Sequence, residues 1–92
     1  MKVEIVEDVT GTSLQTYLNT SFARLVELFG YPDNQFGDDK VRVEWCLLVS
    51  GKYPVTIYDW KESTPVEDLF TWNVGGNNWL TCMEVKEWIE RQ

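Results

Sequence analysis

The chain has 92 residues, of which 43% are hydrophobic, and its formal net charge is −7. A chain of this length builds one hydrophobic core, which predicts a single domain spanning residues 1–92. The excess of acidic residues excludes a broad phosphate-binding surface, so nucleic acid is not expected as a partner.

The first third of the chain predicts two strands and a helix. Residues 2–9 combine β-branched residues with charges, and residues 13–20 follow a glycine, so each stretch is typical of a short strand. Thr20 or Ser21 can cap the helix that follows, and Gly30 can end it in a left-handed conformation. Apolar residues at helical spacing mark one face of this helix: Phe22, Leu25, Val26 and Phe29.

The middle of the chain predicts a β-hairpin. Residues 41–49 alternate apolar and polar side chains, and a Ser-Gly-Lys turn connects them to a partner strand at residues 53–60. A two-residue turn places Trp45 opposite Tyr58, whereas a three-residue turn places Ile57 there; we prefer the two-residue turn. Both faces of the hairpin carry apolar residues, so we expect the sheet to be covered on both sides, partly by another copy of the chain.

The last third predicts one more strand and a second helix. The strand covers residues 69–74 and ends at Gly75 and Gly76. Thr81 and Glu84 have the spacing of a capping box at the start of the helix. The buried face of this helix is predicted to contain Cys82, Val85, Trp88 and Ile89. The fold class is therefore α+β, with an antiparallel sheet of about four to five strands and two short helices.

The residue content argues against catalysis. Histidine is absent, which removes the commonest general base and the commonest transition-metal ligand. Cys46 and Cys82 lie far apart and predict neither a disulfide framework nor a zinc site. The loop that contains Asp33, Asp38 and Asp39 lacks the register of a calcium-binding loop. We therefore expect no enzymatic activity, no catalytic residue, no metal and no cofactor.

Two aromatic segments near the paired glycines suggest a nucleotide-binding pocket. Tyr and Trp rings offer flat faces for a base, a lysine offers positive charge, and the Gly-Gly-Asn-Asn stretch offers N–H and amide groups for phosphate or ribose. The predicted ligand-binding residues are Tyr58, Trp60, Lys61, Trp72, Asn73, Gly75, Gly76, Asn77 and Asn78. In the alternative interpretation, Trp60 and Trp72 are core residues of adjacent strands and Lys61 is an exposed charge. The two glycines would then mark a strand exit that needs a positive φ.

Three phrases of the sequence carry a resemblance. They are LFGYP, then VEWCLLV running through a turn into TIYDWK, and then WNVGG. In this order they resemble a group of small accessory open reading frames of tailed bacteriophages, over roughly residues 14–76. The stretch VSGKYPVTIYDWK departs from the shorter acidic turn usual in that group. The resemblance implies a phage-encoded accessory protein in the cytoplasm of the host bacterium.

Small phage proteins of this kind often counter host defences, which leads to alternative functional expectations. The first is a non-enzymatic homo-oligomer that sequesters a nucleotide immune signal. The second is an acidic inhibitor that binds a host defence protein such as a CRISPR effector, with Asp38 and Asp39 facing its basic groove. The third is a structural or regulatory protein without a ligand. A membrane partner is not expected, because no apolar run approaches the roughly 20 residues that span a bilayer.

Overall fold

The computed structural model describes residues 1–32 and 41–92, which form an antiparallel sheet and two helices, so the predicted α+β class is confirmed. In chain order the elements are β1 (Val3–Val6), β2 (Ser13–Asn19), α1 (Phe22–Phe29), β3 (Glu44–Val49), β4 (Tyr53–Tyr58), a 3-10 turn (Val66–Asp68), β5 (Thr71–Gly76) and α2 (Trp79–Glu90). The five strands lie in the order β1-β3-β4-β5-β2. The sheet therefore places β2 beside β5, far from β1.

The sheet has one covered face and one open face. Both helices contribute to a single core on the covered face, through Leu25 and Phe29 of α1 and through Val85 and Ile89 of α2. The strand residues buried in this core are Leu18, Trp45, Leu47, Val49, Val55, Ile57, Trp72 and Val74. We expected cover on both sides; within one chain both helices pack on the same face, and cover of the other face by another copy stays a prediction.

Aromatic rings fill the core beneath α1. Ser21 caps this helix, because its hydroxyl accepts a hydrogen bond from the Arg24 N–H at 3.1 Å. Phe22, in the first turn, then packs against two indoles, with its ring centroid 5.9 Å from that of Trp45 and 6.3 Å from that of Trp72. The two indoles meet edge to face at 5.6 Å. The cap and the ring cluster together fix α1 over β3 and β5.

The β3–β4 hairpin has a three-residue loop, so the preferred two-residue register is wrong. Trp45 pairs with Ile57, as the alternative register predicted. Ser50 and Gly51 both have a positive φ, of 56° and 66°. Positive φ at two consecutive turn residues is typical of a type I′ turn. This pair of residues lies one position earlier in the chain than the preferred two-residue turn required. As a result, Trp45 faces the core while Tyr58 lies on the open face.

The start of α2 also differs from the prediction. The helix begins at Trp79, and the side-chain oxygen of Asn78 accepts a hydrogen bond from the Thr81 N–H at 3.0 Å. Asn78 is therefore the N-cap. The predicted capping box between Thr81 and Glu84 is wrong, because Thr81 already lies in the first turn and its N–H is the group being capped.

Gly76 lies at a close contact between β5 and α2. A Cβ at this position would lie 2.5 Å from Cys82 Sγ and 3.0 Å from the Pro54 carbonyl oxygen. We expect Gly76→Ala to lower the free energy of unfolding by about 2–3 kcal/mol, because the added methyl group overpacks this contact. Urea denaturation followed by circular dichroism measures the change.

The double variant Gly76→Ala/Cys82→Ala provides the control for this prediction. Removing Cys82 Sγ makes room for the new methyl group, so the double variant should be more stable than the sum of the two single changes implies. Strictly additive losses would show that contact with the sulfur does not limit the size of residue 76.

Candidate functional site

A row of side chains crosses the open face at right angles to the strands. The pairing register aligns Tyr17 of β2, Asn73 of β5, Tyr58 of β4 and Glu44 of β3 in this row. Adjacent strands lie about 4.8 Å apart, so the Cα atoms of the two tyrosines are separated by roughly 10 Å. The Asn73 amide lies between them. The row therefore presents two phenol rings, an amide and a carboxylate along one line.

The two tyrosines border an open depression with a volume of about 430 Å³. This volume falls within the roughly 300–1,000 Å³ typical of small-ligand sites. Its other lining residues are Leu14, Trp60 and Asn73. Leu14, Tyr17 and Trp60 expose 49%, 55% and 45% of their surface. An indole ring on this face is therefore accessible to solvent, which is the condition that any ligand site here requires.

Gly75 lies beneath Tyr58 on the open face, next to the depression but outside its lining. It lies between Leu14 and Thr56 in the row next to that of the tyrosines. A Cβ on Gly75 would lie 2.6 Å from Thr56 Oγ1 and 3.5 Å from Tyr58 Cε1. The missing side chain lets the Tyr58 ring lie against the β5 backbone. Gly75 thus contributes to the site by its small size.

Negative charge borders the depression beside Tyr58. Burial, and then the charge of Asp8, raise the pKa of the Glu44 carboxyl above its ordinary value, although a hydrogen bond from a neighbouring thiol opposes this rise. Burial, followed by the proximity of Glu44 and Tyr17, likewise raises the pKa of Tyr58. The Tyr58 phenol therefore stays protonated at neutral pH and can donate a hydrogen bond.

A buried carboxylate positions Trp60 at the end of β4. Asp59 accepts hydrogen bonds from the backbone N–H and Nε of Arg42, at 2.8 and 2.7 Å, and from the backbone N–H of Val43, at 3.1 Å. Lys61 follows with a positive φ of 53°. Its ammonium nitrogen lies 5.8 Å from the centroid of the Trp60 ring, within the range of a cation–π interaction.

The structure brings together some of the residues proposed for a nucleotide site and separates others. Tyr58, Trp60 and Asn73 line the depression, and Lys61 lies beside Trp60. The placement of Trp72 in the site is wrong. Trp72 is only 1% exposed, and its indole N–H donates to the Thr20 carbonyl at 2.9 Å within the core.

The predicted phosphate-binding stretch does not form an anion-binding loop. Gly75 and Gly76 lie inside β5, where they pair with β2 and β4, and neither has the positive φ that a strand exit would need. The Asn78 side chain caps α2. Asn77 is an exposed residue between β5 and α2. These four predicted ligand residues therefore belong to the sheet, the helix cap and the connection between them.

Sequence reasoning missed Leu14 and Tyr17, both of which line the depression. An irregularity in the β2–β5 pairing between Leu14 and Thr16 leaves Gln15 as an extra residue. The Gln15 amide donates to the Gly76 carbonyl oxygen at 3.0 Å. Strict alternation would put Leu14 and Tyr17 on opposite faces, whereas this bulge puts both on the open face. No local pattern in the sequence marks the bulge.

The metal and membrane expectations can be compared with the structure only over its described residues. Within residues 1–32 and 41–92, no group of three or more His, Cys, Asp or Glu could hold a metal ion, and no helix is long and apolar enough to cross a membrane. Cys46 and Cys82 are both buried, and burial raises the pKa of the Cys82 thiol. The acidic loop with Asp33, Asp38 and Asp39 lies outside the described residues.

Searches against protein-family models, curated proteins and solved structures give no match to this chain. The features that bear on function are therefore the geometry of the depression, the charges beside it and the resemblance carried by the sequence.

Proposed function

We propose that this chain is a non-enzymatic binding protein, encoded by a bacteriophage, that antagonises bacterial immunity by binding the basic surface of a host defence protein. The binding surface is the aromatic depression together with the acidic residues beside it. The observation that supports this function best is the row of Tyr17, Asn73, Tyr58 and Glu44, which combines an exposed ring and a half-buried ring with negative charge on the open face of the sheet.

The composition of this surface favours a protein partner. Tyr and Trp are enriched among the residues that dominate the affinity of protein interfaces. Leu14, Tyr17 and Trp60 expose large apolar side chains around the same hollow, and clustered exposed apolar area on a soluble domain marks an interaction site. The net charge of −7 attracts a basic surface from a distance and accelerates its association.

A nucleotide immune signal is the second candidate ligand. Stacking between rings needs only flat faces, which Tyr58 and Trp60 supply, and the Asn73 amide could bind the edge of a base. The charge distribution supports this ligand less well. Lys61 is the cation beside Trp60, whereas Glu44 lies beside Tyr58 and would repel phosphate.

The binding test uses Trp60→Ala and, as a matched control, Trp79→Ala. Trp79 is 55% exposed but does not line the depression. In biolayer interferometry with purified CRISPR effectors and other host defence nucleases, we expect Trp60→Ala to weaken binding about 30-fold, as is typical of a dominant interface residue. We expect Trp79→Ala to bind like the unmodified chain. The association should also weaken as salt concentration rises.

A thermal-shift screen with cyclic and linear nucleotides tests the second candidate in parallel. Stabilisation by a nucleotide that disappears in Trp60→Ala, without binding to any defence protein, would replace the first candidate by the second. Absence of both effects would reject both candidates. Light scattering of the same samples shows whether the open face instead associates copies of this chain into the expected homo-oligomer.

A further inference from the structure

We infer that the depression is an aromatic binding site for an organic cation and that its occupant is a lysine or arginine side chain of the partner. This inference deepens the proposed function and depends on it for the identity of the partner. The juxtaposition that supports it is that of three aromatic rings and an amide around one hollow of about 430 Å³, with the Glu44 carboxylate next to Tyr58 in the row, just outside the hollow.

Three aromatic rings surround the depression. Tyr17, Tyr58 and Trp60 line the same depression. A cation is attracted to the face of an aromatic ring when it lies within about 6 Å of the centroid, and the attraction increases as water is excluded. The two tyrosines lie on strands that flank β5, so an alkylammonium group between them would lie near Asn73. The Asn73 side-chain oxygen is an acceptor for its N–H groups.

Carboxylates lie beyond Tyr58, next to the depression but outside its lining. Glu44 is the next residue after Tyr58 in the row across the sheet, and Asp8 is close enough to perturb the titration of Glu44. Both carboxylates attract a cation and repel an anion at this side of the depression. Gly75 and Gly76 belong to the sheet, where they pair with β2 and β4, so they do not form a loop of free N–H groups that would offset a phosphate charge.

The chain's own Lys61 places an ammonium group near the Trp60 ring. Its ammonium nitrogen lies 5.8 Å from the Trp60 ring centroid, although its backbone has a positive φ that is unfavourable for a lysine. An ammonium group is therefore already accommodated at the Trp60 side of the depression. An incoming cation competes with Lys61 for this ring, whereas an incoming nucleotide needs Lys61 to meet its phosphate. The same substitution at Lys61 must therefore have opposite effects on the two ligands.

The experiment is an NMR titration with N-acetyl-lysine amide and with choline, using 3,3-dimethyl-1-butanol as the neutral analogue of choline. We expect chemical-shift changes at the Trp60 indole N–H and the Asn73 amide with both cations and none with the alcohol. Trp60→Leu should weaken cation binding at least about fivefold through loss of the cation–π interaction. The melting temperature of each variant is measured first to establish that it is folded.

Substitutions of charged residues provide the decisive comparison. We expect Lys61→Gln to strengthen cation binding about two- to fivefold and Glu44→Gln to weaken it about threefold or more, in proportion to the local charge that each removes. Glu87→Gln is the matched control. It also removes one negative charge, but from α2 and away from the depression, so it should weaken cation binding much less than Glu44→Gln does. Weaker cation binding in Lys61→Gln, or equal shifts with the neutral alcohol, would overturn the inference.

The outcomes separate this inference from the proposed function. If the cations bind with this variant pattern but no defence protein does, the cation site is correct and the proposed partner is wrong. If a defence protein binds through Trp60 but the cations produce no shifts, the partner is correct and the cation site is wrong. If AMP binds and Lys61→Gln weakens that binding, the depression is a base-stacking site instead.

Discussion

Replacing Trp72 with alanine is expected to lower the free energy of unfolding by about 4 kcal/mol, whereas the same change at Trp60 is expected to lower it by less than about 1 kcal/mol. Trp72 is 1% exposed, meets Trp45 edge to face and donates its indole N–H to the Thr20 carbonyl. Trp60 is 45% exposed on the open face. Urea denaturation of the two variants measures both values.

This pair of substitutions separates the core tryptophan from the surface tryptophan. Trp72→Phe serves as a control, because it keeps an aromatic ring and removes the hydrogen bond to Thr20, so its loss should be intermediate. Equal destabilisation by Trp60→Ala and Trp72→Ala would mean that Trp60 is also a structural residue. Any loss of binding in Trp60→Ala would then reflect unfolding, and the depression would lose its support as a site.

Replacing Asp59 with alanine is expected to lower the free energy of unfolding by about 3–4 kcal/mol. The Asp59 side chain is fully buried and accepts three hydrogen bonds from Arg42 and Val43. Among the described residues, Arg42 Nη2 is buried without a hydrogen-bond partner. Removing the carboxylate would therefore leave a partly buried guanidinium with no counter-charge. Urea denaturation, compared with Asp59→Asn, measures the loss.

The double variant Asp59→Ala/Arg42→Ala tests whether the charge pair is the cause. It should be more stable than the sum of the single changes implies, because no unpaired guanidinium remains. Asp59→Ala should also weaken binding at the depression, since Asp59 holds the end of β4 from which Trp60 projects. Unchanged binding in a folded Asp59→Ala variant would show that Asp59 does not position Trp60.

The local features of the fold could be predicted because they depend on neighbouring residues. The helical spacing from Phe22 to Phe29 and the Ser21 cap are properties of one short segment, and both appear in the structure. The hairpin register was missed because it depends on which turn residues take a positive φ. The chain places this conformation at Ser50 and Gly51, and the alternation of the strands alone allows either register.

The site could be predicted only in part because its geometry depends on distant contacts. Trp60 and Trp72 have similar aromatic surroundings in the sequence, and only the order and register of the strands assign one to the surface and the other to the core. The adjacent glycines resemble a turn. Their actual role follows from residues far away in the chain, since Thr56 crowds Gly75 and Cys82 crowds Gly76.

The bulge at Gln15 has an evolutionary consequence. One extra residue in β2 turns both Leu14 and Tyr17 toward the open face. An in-frame deletion of that single codon would leave Leu14 two positions before Tyr17, so regular alternation would keep both side chains on the open face with the remaining strands unchanged. A gene lineage could thus gain or lose the extra residue while keeping this surface, so relatives whose β2 strands differ in length by one residue could still share a partner.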